Sequence, residues 1–311
     1  MFLNYLNSLP ATVAQGIMWG LMAIGVYITY RILDIADLTV DGSLVTGAAV
    51  CATLMVNGWH VAPAILMAVL AGMLAGLLTG VFHTGMGIPP ILAGILTQLI
   101  LWSVNLKIMG KANMPLLARN HFLLASGLYI PRTLLTLALV AAAVIALLYW
   151  LFGTEVGCSI RATGCNLQMS RAQGINTSLT KILGLMMSNG IVALAGAFLA
   201  QYQGAADINM GRGAIVIGLA AVIIGEAVMS RISRNFAVKL LSVVVGGVIY
   251  FFVYQTIIFL GLDTDLLKML SALLVAIFLA IPYWKKTYFS HPKKKPLADV
   301  AEEALEEVPH A

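Results

Sequence analysis

The sequence predicts an all-α, polytopic transmembrane protein, and three observations carry that expectation. Of 311 residues, 60% are hydrophobic and only 10% charged, with a mean hydropathy of +0.95; soluble domains carry about a quarter charged residues. Apolar stretches close to the about 20 residues that a helix needs to cross a bilayer recur along the chain. The lysines and arginines gather between those stretches and in the tail, where membrane topology collects them. A soluble fold of this size has too little interior to shield so much apolar surface, so lipid is the solvent. Soluble-enzyme and nucleic-acid-binding classes fall on the same ground, because the formal charge of +5 reports orientation and needs no acidic ligand.

Nine stretches are expected as spans: residues 11–31, 41–57, 61–82, 88–109, 130–152, 181–203, 211–229, 236–260 and 266–284. The start, MFLNYLNSLPATVAQG, has no basic run and no small-residue cleavage site before its apolar stretch, so the first helix is expected to stay in the protein. The second and seventh stretches are short and follow polar, glycine-containing segments, LDIADLTVDGS and GAADINMGRG. Such segments sit at membrane depth only when buried in protein or lining water, which marks two broken or re-entrant helices. Eight or nine spans result, depending on whether 41–57 crosses fully. One constant offset carries Gly25 onto Gly196, Gly42 onto Gly213, Gly47 onto Gly218 and Gly76 onto Gly247. With an odd number of spans between the halves, that repeat would be inverted, the arrangement that makes two broken helices face each other near the midplane.

Basic residues orient the chain. With WKKTYFSHPKKK inside, alternating spans also put Arg231, Arg234, Lys239 and the loop bearing Arg161, Arg171 and Lys181 inside. The loop of residues 110–128 then lies outside despite Lys111 and Arg119. Residues 1–284 form the transmembrane domain, with a cytoplasmic loop at 153–181, and residues 285–311 a charged cytoplasmic tail. Cys51, Cys158 and Cys165 have neither disulfide nor zinc spacing, and no metal site is expected.

The chain has no phosphate-binding loop, no zinc-protease motif and no nucleophile with a base at a familiar spacing, so no catalytic residue is assigned. A route for a polar solute remains. Within the loop GTEVGCSIRATGCNLQMSRAQGINTSLTK, Asn166 is placed to cap a short helix that Gly174 ends in a left-handed conformation. Met169, Arg171 and Ala172 on that helix offer a partner protein a compact handle.

The segment RATGCNLQMSRAQGIN resembles the cytoplasmic coupling helix of permease subunits of ATP-binding-cassette importers, in the branched-chain-amino-acid and ribose permease group. The stretches ILDIADLTVDGSLVTGAAV, IPPILAGILTQLILWSVNLKIMG and AGAFLAQYQGAADINMGRGAIVIGLAAVIIGE resemble the same group, and a subgroup whose partner lipoproteins bind tryptophan, tyrosine or similar solutes. The likeness covers about residues 10–285; Cys165 departs from it, standing where the subgroup more often has an acidic residue. The resemblance implies a homodimeric pore in a bacterial inner membrane, importing an amino acid, aromatic or branched-chain. It further implies a binding lipoprotein outside, and ATP and magnesium on separate ATPase subunits with no cofactor in this chain. Docking on those subunits would use Arg161, Ala162, Asn166, Met169, Arg171, Ala172, Gly174, Ile175 and Asn176.

Carboxylates at membrane depth are costly and tend to be functional or paired. Asp34 is expected to pair with Arg31; Asp41 caps the helix beginning at Gly42 or touches solute. The translocation path is expected along Thr39, Asp41 and Gly42 in the first break and Asp207, Asn209 and Gly211 in the second. Gln98, Asn105, Asn189, Gln201 and Gln255 read as bonds between packed helices, Glu226 as a partner of Arg231 or Arg234, and His60 and His83 as interfacial. The small-residue runs AVLAGMLAGLLTG and SVVVGGVIY read as close-packing faces, either of which could form a seam between copies. A self-contained secondary carrier or channel is the competing class, and the energy source separates the two.

Overall fold

The computed structural model describes residues 2–116, 123–229 and 235–259, with isolated positions between 269 and 280. Most of the expected span at 266–284 lies outside the described residues, and Arg231, Arg234 and the tail at 285–311 lie wholly outside them. Six described helices are long and apolar enough to cross a membrane. They are α1 (Phe2–Tyr27, extended by a π-helical turn Ile28–Ile32), α3 (Val61–Thr84), α4 (Pro90–Met109), α5 (Ile130–Leu151), α8 (Thr177–Gln203) and α10 (Phe236–Phe259). The two stretches with polar leaders form shorter apolar helices, α2 (Val40–Val56) and α9 (Ala214–Met229). Two short polar-loop helices, α6 (Glu155–Cys165) and α7 (Leu167–Ala172), follow α5.

One feature departs from an all-helical chain. Residues Asn113–Pro115 (β1) pair antiparallel with Ala205–Asp207 (β2), Met114 opposite Ala206. The ribbon exists because α8 ends at Gly204, whose φ of +71° turns the backbone out of the helix. The chain that follows has unpaired peptide groups near the membrane, and the loop after α4 satisfies them: Ile208 N–H donates to Ala112 O at 2.9 Å and Leu116 N–H to Gly204 O at 2.8 Å.

Helices in lipid gain nothing from excluding water from each other, so close backbone approach has to hold them together. The glycines supply it. Gly72 and Gly76 of α3 lie on the carbonyls of Asn189 and Leu185 in α8, Gly47 of α2 lies on Ala193, and Gly196 of α8 lies on Leu44, all too close for a Cβ to fit. On the other side, Gly246 of α10 lies on Ala221 of α9, and Gly247 faces Gly16 and Gly20 of α1. The glycines of both small-residue runs are therefore used in packing within one protomer. The resulting core joins Met18, Leu21, Met22 and Ile24 of α1 to Leu185, Val192 and Phe198 of α8 and to Val222, Leu240 and Val243.

Candidate functional site

The two short helices start side by side. Between α1 and α2, residues 33–39 leave the helix, with Asp34 at φ +54°; between α8 and α9, residues 204–213 do the same. Each break is closed by an aspartate that accepts from the amide two residues on: Asp37 Oδ1 from Thr39 N at 2.9 Å, Asp207 Oδ1 from Asn209 N at 2.7 Å. Gly211 packs on the carbonyl of Asp41 too tightly for any side chain. Asp41 then bridges the helices. Its Oδ2 accepts from Gly213 N at 3.0 Å and its Oδ1 from Ile215 N at 2.9 Å. The N-terminal ends of α2 and α9 each carry about half a positive charge, and one carboxylate lies between them. Asp41 thus caps α9 rather than its own helix, which begins at Val40.

Behind this junction the first break is held by buried polar groups. Asn189 Nδ2 donates to Asp37 Oδ2 at 2.7 Å, and the Ser43 hydroxyl donates to Asn189 Oδ1 at 2.6 Å. Thr39 lies 2.7 Å from the hydroxyl of Thr79, which lies 2.9 Å from that of Thr97. Thr39 is consequently a bolt between α2, α3 and α4, buried away from any opening. In front of the junction lies a cleft of about 520 Å³, open mouth included, lined by Asp41 and Gly42 together with Gln98, Trp102, Asn105 and Arg212. Asp207, Asn209 and Gly211 do not line it. Gln98, Trp102 and Asn105 recur at three- and four-residue spacing on one face of α4; that polar stripe on an apolar helix was the available signal. Asn189, Gln201 and Gln255 do bond between segments as expected: Gln201 Oε1 accepts from Leu124 N at 3.2 Å, and Gln255 Nε2 donates to Ser8 Oγ at 3.4 Å.

At the far end of α5 the polar loop is built from successive caps. Thr154, Asn166 and Asn176 each accept from a backbone amide in the first turn of α6, α7 and α8 respectively, with Asn166 Oδ1 to Met169 N at 3.0 Å. Gly174 follows at φ +78°. Met169, Arg171, Ala172, Gly174 and Asn176 are exposed, Ala162 and Ile175 half-buried. Two of the expected contact residues also have partners within the chain. The guanidinium of Arg161 sits 4.3 Å from the Phe236 ring and 5.2 Å from the Phe152 ring, tying α6 to α10 and to the end of α5. Arg171 Nε donates to Thr177 Oγ1 at 3.1 Å. Gly164 of α6 packs directly on the carbonyl of Ile32, and Gly184 of α8 on the side chain of Leu33, so the loop touches the residues where the first break starts.

One expected ion pair is replaced by another. Arg31 does not pair with Asp34; its Nε and terminal nitrogen donate to both carboxylate oxygens of Glu226 at 2.8 and 2.9 Å. The same bond engages Glu226, whose expected partners Arg231 and Arg234 lie outside the described residues. The reason is geometric: the π-helical turn directs Arg31 across to α9, while Asp34 turns away in a left-handed conformation. His83 closes the α3–α4 turn, with Nδ1 2.9 Å from Ile88 O and Nε2 3.3 Å from Lys181 Nζ.

The family model described as branched-chain amino acid transport system, permease component, matches residues 8–281. A tyrosine transport system permease protein of Clostridioides difficile (strain R20291) is 39% identical over 276 residues, covering 88% of this chain and 91% of that one. An uncharacterized protein of Rickettsia prowazekii (strain Madrid E) is 34% identical over 278 residues, covering 88% and 98%. Among solved structures, PsaBC from Streptococcus pneumoniae in complex with Fab superposes with a TM-score of 0.51 at 15% identity, over 90% of this chain and 95% of that one, a likeness of fold. The junction of broken helices and the capped polar loop define a membrane transport subunit, a multi-pass protein of the bacterial inner membrane. The chain belongs to the branched-chain amino acid transport system permease family, and is the permease of an ATP-binding-cassette importer for an amino acid. That sets aside the self-contained carrier.

Proposed function

We propose that this chain forms, as a pair of copies, the translocation path of an importer for an aromatic amino acid. Two ATPase subunits would drive it through α7, and an extracytoplasmic lipoprotein would deliver the solute. The substrate follows the name of the Clostridioides difficile relative. One observation carries the coupling: α7 is capped and exposed, and its neighbour α6 rests on Ile32 through Gly164, where the first break begins. Movement imposed on α7 by closing ATPases would reach residues 33–39 through backbone contact, and from there Asp41 and the start of α9. Arg161, held between aromatic rings, would carry the same movement to α5 and α10. Interfaces of this kind repack between discrete arrangements rather than deforming smoothly.

The path in this reading runs past Asp41 and Gly42, with the second break at Asp207, Asn209 and Gly211 packed beside them. The loop at 153–181 and the tail at 285–311 are cytoplasmic, and residues 1–284 the transmembrane unit. An inverted repeat is also part of this reading. Gly47 lies on Ala193 of α8 while Gly218, one offset further, lies against Met22, the offset partner of Ala193. The Asx turns at Asp37 and Asp207 support it as well.

The test is uptake of labelled L-tyrosine into proteoliposomes. Strict dependence on the added ATPase, binding lipoprotein and internal ATP is expected. Accumulation by the permease alone under an ion gradient, or an assembled complex that moves no amino acid, would reject the reading.

A further inference from the structure

The cleft in front of the junction carries chemistry that packing does not account for. Asn105 is fully buried in α4 and lines the cleft; its amide nitrogen donates to Gly42 O at 3.4 Å, and its carbonyl oxygen has no hydrogen-bond partner among the described residues. A buried amide oxygen left unbonded costs about 1–3 kcal/mol, so it marks a place where something else bonds. Arg212 lines the same cleft, is exposed, and makes no ion pair among the described residues. Asp41, spread between two helix ends, supplies the opposite charge. Trp102 is 45% exposed and lines the cleft as well. An arginine, a carboxylate and a glutamine opening towards lipid would cost several kcal/mol, so this mouth faces water.

We infer that this cleft is a binding station for the transported amino acid inside the permease itself, a reading that rests on the amino-acid path proposed above. The Arg212 guanidinium takes the α-carboxylate. Asp41 and the free carbonyl oxygen of Asn105 take the α-ammonium, which offers three donors to acceptors that have none to spare. Trp102 receives the side chain and favours aromatic or large apolar ones over small ones. Its enclosed space of about 150 Å³ takes one aromatic ring, the size of cavity that holds a benzene. Selectivity is then read twice, once by the delivering protein and again here, on the zwitterionic head and on side-chain size.

Calorimetric titration of the full-length permease in nanodiscs, with no binding protein present, tests this. L-tyrosine, tyramine (no carboxylate) and 3-(4-hydroxyphenyl)propionate (no ammonium) are the probes. L-tyrosine is expected to bind more tightly than either analogue. Arg212→Gln should weaken L-tyrosine by about tenfold or more and tyramine by less than about twofold, with Arg212→Lys recovering part of the loss. Asn105→Leu should weaken L-tyrosine and tyramine but leave the propionate unchanged, a crossed pattern that general misfolding does not produce. Trp102→Ala should reduce the preference for L-tyrosine over L-alanine. Absence of L-tyrosine binding to the wild-type permease, or equal losses for all three probes in both variants, overturns the inference. If the reconstituted complex still imports L-tyrosine under ATP while the cleft binds nothing, the cleft assignment alone is wrong. A complex that imports no amino acid removes the underlying function instead.

Discussion

Replacing Asp41 tests the junction most directly. Its two carboxylate oxygens accept from Gly213 N and Ile215 N at 3.0 and 2.9 Å, across 172 and 174 residues of chain. Removing an N-cap costs about 0.5–2 kcal/mol. The charge here also offsets two converging helix dipoles, each interaction worth about 0.3–1 kcal/mol, more when partly buried. Asp41→Ala should therefore cost about 2–3 kcal/mol. Asp41→Asn keeps one acceptor and loses the charge, for about 1–2 kcal/mol. At about 2–4 °C per kcal/mol, the alanine variant melts about 4–12 °C lower, with the asparagine variant between it and wild type. The assay is thermal unfolding of the purified permease in detergent, followed by tryptophan fluorescence. A fall of less than about 2 °C in Asp41→Ala, or an asparagine variant as unstable as the alanine one, would refute the bridging cap.

Four further outcomes follow from other parts of the molecule. In Gly94→Ala the new Cβ would sit 2.7 Å from Leu38 N, so α4 must move off the first break; a loss of about 1–3 kcal/mol and slowed uptake are expected, and wild-type transport and melting would contradict the tight contact. Asn166→Ala removes the cap of α7 for about 1 kcal/mol, and ATPase recovered by pull-down should fall while the melting temperature of the membrane core hardly moves. Cys158 and Cys165 are exposed and Cys51 is buried, so a membrane-impermeant maleimide applied from the cytoplasmic side should label the first two only; labelling from outside would reverse the orientation. Glu226→Gln breaks the bond to Arg31, but with the two side chains 28% and 55% exposed the loss should stay below about 1 kcal/mol, and a larger drop in chemical-denaturation midpoint would mean the pair is shielded by a partner surface.

What could be read without coordinates was local. Asn166 as a cap and Gly174 as a left-handed stop depend on side chains within a few residues of the backbone groups they serve, and both are where spacing put them. The polar leaders before residues 40 and 214 declared themselves because each sets aspartate and glycine directly ahead of a short apolar run. The membrane class followed from composition alone. Pairings at distance were not legible: Arg31 had Asp34 as a near neighbour in sequence and Glu226, 195 residues away, as its partner in space. The aromatic slot of Arg161 joins three helices, and the α6 contact with Ile32 depends on one glycine, Gly164, whose neighbour no spacing rule names.

By itself, then, the chain's order of residues determined its solvent, its long apolar helices among the described residues, its two interruptions and the capped α7 of its polar loop, because hydrophobic length, capping and positive φ act over one or two turns. Only the tertiary structure decided that Asp41 serves α9, that Thr39 is buried against Thr79, and that Gln98, Trp102 and Asn105 meet Arg212 across a cleft. Many polar side chains could satisfy one another at similar energy, and the close glycine crossings of α2, α3 and α8 select which of them come within reach.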